Sequence, residues 1–174
     1  MRQANDIGGA KFAVGIADTI RVELHNDSYP YAKAYSYPNL NLSTDGMITI
    51  NTLSGSLTGS YYVVIRHRNS VETWSANAVD FSNAGPFSYD FSTSAGNAYA
   101  SNLKTMGSIY AIYAGDANQD GIVDGSDMAA IDNASTAVMV GYHGEDLNGD
   151  GIVDASDMAI IDNNSTAVVS ARRP

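Results

Sequence analysis

The chain writes one acidic loop twice. GDANQDGIVDGSD at residues 115–127 returns at a period of 30 residues as EDLNGDGIVDASD at 145–157. In each copy acidic or amide side chains stand at alternate positions, and a glycine follows. Each loop holds four carboxylates, which repel one another unless a cation lies among them. Calcium takes oxygen ligands in a flexible shell that a twelve-residue loop supplies from fixed positions. Counting from Asp116, side-chain ligands fall at the first, third and fifth positions: Asp116, Asn118 and Asp120. Gly121 then provides the sharp turn, and Ile122 offers its backbone carbonyl while its side chain is expected to enter the core. Asp124 coordinates through water and Asp127 closes the loop. The second copy places Asp146, Asn148, Asp150, Gly151, Ile152, Asp154 and Asp157 identically. Two matching loops predict two calcium ions; magnesium is less suited, since it dehydrates reluctantly.

The charge distribution agrees. Residues 1–114 carry seven Lys/Arg against eight Asp/Glu, whereas residues 115–174 carry two against eleven. A net charge of -10 argues against nucleic acid as a partner. No apolar run is long enough for a membrane span. There is no cysteine, hence no disulfide framework. The opening MRQANDIGGAKFAVG lacks the basic-then-apolar pattern of a secretion signal, as a mature product or a fragment also would.

The pattern before residue 115 is that of strands. In TIRVELH, Ile20, Val22 and Leu24 point one way, and Arg21, Glu23 and His25 the other. MITINTL and YYVVIRHRN alternate likewise, and VETWSA, FSYDFS and SIYAIYA are shorter candidates. NDSYP, STDG, SGSLTGS and SNAGP punctuate them as turns. This spacing predicts a mainly β, immunoglobulin-like antiparallel sandwich over 15–114, with YASNLKTMGS as a helical turn or crossover. Over 115–174 each loop leads into a short helix. Met128 and Ile131, like Met158 and Ile161, share one helix face. DNAS and DNNS are expected to stop those helices.

The duplicated loop-and-helix tail resembles a dockerin, an EF-hand-type calcium module that docks onto cohesin domains. The terminal Asp of each loop is shared with that family, and the match covers about residues 115–169. The resemblance implies that Gly125, Ser126, Ala155 and Ser156 carry partner recognition. The linker holding STAVMVGYHGED is longer than in that family. The stretch GSYYVVIRHRNSVETWSANAVDF is similar to β-sandwiches joined to dockerin-like tails in secreted surface proteins of Bacteroidetes-type bacteria. That likeness implies a secreted or cell-surface origin and no catalytic residues.

The expected function is therefore a non-catalytic calcium-binding assembly or anchoring module. One alternative is a rigid structural or self-assembling unit of a surface protein. Another is carbohydrate binding through the sandwich, with Trp74 and the tyrosines of SYPYAKAYSYPN as a stacking platform. Arg66, His67 and Arg68 read as an exposed strand face or a cationic patch, and His25 and His143 as surface or boundary residues. None of the motifs HExxH, G-x-S-x-G or the phosphate-cradling P-loop occurs.

Overall fold

A computed structural model describes residues 1–53, 55, 57–83 and 86–174. The turns expected at 54–60 and 82–86 fall partly outside the described residues. In chain order the elements are β1 (Asn5–Asp6), β2 (Gly9–Ala10), β3 (Ile16–Asn26), β4 (Lys33–Ser43), β5 (Ser60–His67), β6 (Ser70–Trp74) and β7 (Val79–Asp80). Two 3-10 turns, Ala95–Asn97 and Tyr99–Ser101, precede β8 (Lys104–Met106), β9 (Ile109–Ala111), α1 (Gly125–Thr136) and α2 (Ala155–Thr166). The chain is mainly β and antiparallel, with two helices.

One five-stranded sheet runs β4-β3-β5-β6, with β7 also pairing β5, while β1–β2 and β8–β9 are two-stranded. Strand β4 lies in a stretch whose Pro and Asn read as breakers. Its register explains how both fit: Ile20 opposes Leu40 and Val22 opposes Tyr37, so Arg21 alone faces Pro38 and Asn39. This is a β-bulge with Asn39 at φ 56°, on the sheet edge where a missing N–H costs least.

MITINTL and FSYDFS form no strand. Their alternation is still visible as burial: Ile48 and Ile50 are half-buried between exposed Met47, Thr49 and Asn51. Phe87 and Tyr89 likewise turn inward on either side of exposed Ser88, and Phe87 stacks on Phe81 with ring centroids 4.6 Å apart. A period of two thus records which side of an extended chain is covered, whether or not a neighbour completes a ladder.

The expected outward face of β3 is also covered. Glu23 is 2% exposed and His25 9%. Arg66 bridges two buried carboxylates, reaching Glu23 through Nε at 3.1 Å and Glu72 through its terminal nitrogen. His25 Nε2 lies 3.2 Å from Glu23, and the His25 ring packs on Trp74 with centroids 4.5 Å apart. Burying such charges is tolerable only because each carboxylate meets several donors. The opposite face packs Leu24, Leu57 and Phe81 with Tyr35, Tyr61 and Val63.

The second core joins sheet to tail. Val71 of β6 lies in one cluster with Val123, Ile131, Ala134, Val153, Ile161 and Val169. Both helices run 12 residues, longer than their apolar pattern suggested, and continue through DNAS and DNNS. The stop comes later: Ala137 N donates to Asn133 O, and Val138 and Val168 follow with positive φ. Instead of ending α2, Asn164 is buried within it, with Nδ2 donating to Ala114 O at 2.7 Å and Oδ1 accepting from Lys104. Among the described residues no helix is long and apolar enough to cross a membrane.

Candidate metal loops

Each loop folds back through its own carboxylates and amides. Asp120 N donates to Asn118 Oδ1 at 2.8 Å, and Ile122 N to Asp120 Oδ1 at 2.9 Å; Asp150 N and Ile152 N repeat this on Asn148 and Asp150 at 2.8 and 3.0 Å. Gly121 and Gly151 take φ of 91° and 86°, left-handed backbone that disfavours a side chain.

The aspartates at the loop ends also start the helices. Asp124 is the N-cap of α1, accepting from Ser126 N at 2.7 Å, while Asp127 Oδ2 accepts from Asp124 N at 3.1 Å. Asp154 and Asp157 build the same capping box on α2. These reciprocal bonds satisfy N–H groups that a helix start otherwise leaves open. The other oxygen of each closing residue reaches across its loop: Asp127 Oδ1 accepts from Asn118 N at 3.0 Å, and Asp157 Oδ1 from Leu147 N and Asn148 N at 2.8 and 3.0 Å. Asp127 and Asp157 are both 0% exposed.

Ile122 and Ile152 do not enter the core. They are 45% and 49% exposed, and their neighbours Val123 and Val153 are buried instead, at 1% and 2%. The reason is strand geometry: consecutive side chains face opposite ways, and the backbone here pairs as a strand. Val123 N donates to Val169 O and Ala171 N to Gly121 O, at 2.9 and 2.7 Å. Val153 N donates to Met139 O and Gly141 N to Gly151 O, at 3.0 and 2.8 Å. Each loop therefore pairs with the segment leaving the other loop's helix, an exchange with pseudo-twofold symmetry.

The two loops differ at their first ligand. Asp146 accepts three backbone N–H groups, from Gly149 and Asp150 on Oδ1 and Gly151 on Oδ2, at 2.8, 3.2 and 2.9 Å. Asp116 accepts one, from Gly121 on Oδ2 at 3.1 Å, and its Oδ1 is buried with no hydrogen-bond partner. Burial, with the charges of Asp127 and Asp120 adding to it, pushes the Asp116 carboxyl up to about 6 against the opposing Gly121 N–H. Burial first, and then the Asp146 charge, also raises Asp157. The Ser126 and Ser156 donors lower Asp124 and Asp154. Among the described residues no three of His, Cys, Asp or Glu gather as a ready cage for a metal. Asn118, Asn148 and the Ile122 and Ile152 carbonyls lie outside that residue set. The orphaned, buried Asp116 Oδ1 fits a cation, since a carboxylate oxygen loses its water there without gaining a donor.

Gly125, Ser126, Ala155 and Ser156 are exposed in the first turns of the two helices. Trp74 is 4% exposed, with Nε1 donating to Glu72. Tyr35 and Tyr37 pack on the core of the sheet, so the stacking platform loses its tryptophan and two tyrosines; Tyr29 stays 87% exposed. His67 and Arg68 form no free patch, because both pair with buried Asp18.

A Ser–His–Asp chain invisible in the sequence emerges there. Ser70 Oγ lies 3.1 Å from His67 Nδ1, and His67 Nε2 lies 3.1 Å from Asp18 Oδ2, though not aligned for a hydrogen bond. Burial favours the neutral Asp18 carboxyl, but the His67 ring and the Tyr142 hydroxyl outweigh it and hold the group at about 2. Ser70 is 5% exposed. A cavity of about 290 Å³ touches Asp18, His67, Arg68 and Leu147 but not Ser70.

No protein-family model, no curated protein and no solved structure matches the chain.

Proposed function

We propose that the chain is a non-catalytic, calcium-binding attachment module of the dockerin-like kind, borne by a secreted or cell-surface protein. The single observation that carries the reading is Asp116 Oδ1, buried without a donor at the first ligand position of loop 1. Asp116, Asn118, Asp120, Asp124 and Asp127, with the Ile122 carbonyl, would hold one ion. Asp146, Asn148, Asp150, Asp154 and Asp157, with the Ile152 carbonyl, would hold the other. Calcium would offset the repulsion of the gathered carboxylates and stabilise the folded loops by its binding free energy. The five-stranded sheet would be the core of the sandwich half of the module.

Titration calorimetry on metal-free chain is the test. Two ions should bind per chain, and Asp116→Ala and Asp146→Ala should each remove one. A stoichiometry of zero overturns the reading.

The exposed quartet Gly125, Ser126, Ala155 and Ser156 supports docking to a cohesin-like protein partner. Ser126→Arg with Ser156→Arg should then abolish binding to a cohesin panel without changing calcium stoichiometry. A second reading, a rigid structural unit, is favoured by Val71, which places a sheet residue in the tail's core. The two are compatible, since a rigid mount presents a docking face at lower entropic cost.

A further inference from the structure

The two loops share a sequence pattern but not their surroundings. Loop 2 (146–157) is gripped from outside. Arg68 Nη1 and Asn69 Nδ2 both donate to the Asp146 carbonyl, at 2.8 and 3.0 Å. Asn5 N donates to Gly149 O and Asn5 Nδ2 to Asp150 O, both at 3.0 Å. Asn69 is 2% exposed, so its bond is shielded from water. The approach is tightest at Gly151, where a Cβ would lie 3.0 Å from Asn5 Cβ, whereas one on Gly149 would make ordinary contact with Ala4 Cα at 3.5 Å.

Loop 1 (116–127) has Gln119 where loop 2 has Gly149. Gln119 keeps the same left-handed backbone, at φ 62° against 74°. Its side chain occupies the place of an outside clamp, with Nε2 donating to Asp116 O at 2.5 Å. Asn118 and Asp120 are exposed, whereas Asn148 and Asp150 are half-buried. Loop 1 also holds the orphaned Asp116 Oδ1, while Asp146 is fully donated to.

Loop 1 bears on the end of the chain. Val169 and Ala171 pair with it. The next residues continue onto the sheet: Arg172 bridges to Thr73, and Arg173 Nε meets the buried Glu72 at 2.8 Å.

We infer that loop 2 is a site preformed by Asn5, Arg68 and Asn69, and that loop 1 is the conditional site, whose filling fastens segment 169–173 to the sheet. This rests on the calcium reading above. A loop already held in its bound shape binds with less ordering cost, so loop 2 fills first. Loop 1 needs the ion to satisfy Asp116, and its closure aligns Gly121 and Val123 as the template for Val169 and Ala171.

The test is a titration of metal-free full chain with calcium chloride, followed by calorimetry and hydrogen exchange. Two steps should appear, about tenfold or more apart. Amides 149–151 gain protection in the first, and amides 119–123 together with 169–173 in the second. Asp120→Ala, an exposed change, should delete the second step, leave 169–173 unprotected and spare the first. Gly149→Gln, which gives loop 2 the residue of loop 1 and sets a long side chain against Ala4, should weaken the first step by about tenfold. Asn5→Ala should shift the same step in the same direction and serves where the glutamine variant fails to fold. Coincident steps, loop 1 filling first, or 169–173 protected without calcium would each overturn the inference while leaving the two-ion reading intact. No binding at all would overturn both.

Discussion

Val71→Ala tests whether sheet and tail are one cooperative body. Val71 belongs to β6 by sequence and to the tail's cluster by contact, and it is 1% exposed. Truncation removes two buried carbons, worth about 0.8 kcal/mol each, and leaves a cavity among Val123, Ile131 and Ile161 that adds to the loss. The expected cost is about 2 kcal/mol, which for a chain of this size lowers Tm by roughly 4–8 °C. Two probes report the two halves separately. Trp74, the single tryptophan, is buried on the sheet and reports by fluorescence. The amides of Ile131 and Ile161 report the helices by hydrogen exchange. Both transitions should shift together by the same amount, because one void weakens a core that both halves share. Helix amides that lose protection while the Trp74 transition stays put would refute the shared core.

Three further outcomes are expected. Glu23 is drawn down to about 2 although burial opposes the shift, because His25, Arg66 and Lys33 donate to it. Its folded value lies below the ordinary Glu value, so its contribution is present at neutral pH and fades as pH falls from about 5 toward 2. Glu23→Gln should flatten the urea midpoint across that window, and an unchanged acid slope would count against the network. Ile122→Ser should alter stability by less than about 0.5 kcal/mol, while Val123→Ala costs about 2 kcal/mol, read from urea midpoints. Equal effects would contradict the assignment of Val123 rather than Ile122 to the core. Purified protein should not hydrolyse ester, peptide or glycoside substrates, and turnover abolished by Ser70→Ala would show that the Ser70–His67–Asp18 chain is accessible after all.

Much of the candidate site was legible because its determinants are local. The alternation of Asp and Asn, the glycine at the turn and the Asp closing each loop act within a dozen residues of backbone, and the repeat vouches for each. The capping boxes at Asp124 and Asp154 follow from the same letters. Strand β3 was legible for the same reason, since eleven extended residues display their period. Strand β4 was not, because Pro38 and Asn39 are breakers in isolation and become a bulge only against Arg21.

By itself the sequence determined where the two loops turn, where the helices begin and which aspartates cap them. Tertiary structure alone decided what those local pieces face. It sent Val123 inward and Ile122 outward, since the strand at Val169 and Ala171 arrives from beyond the other helix. It covered both faces of the sheet, so that Glu23 became a buried carboxylate among cations rather than a solvated one. It also made two near-identical loops unequal: Gln119 turns back onto Asp116 O of its own loop, while Gly149 and Gly151 lie against Ala4 and Asn5 of the N-terminal segment. Burial and pairing depend on residues far apart along the chain, and a short-range pattern carries no record of which of them will meet.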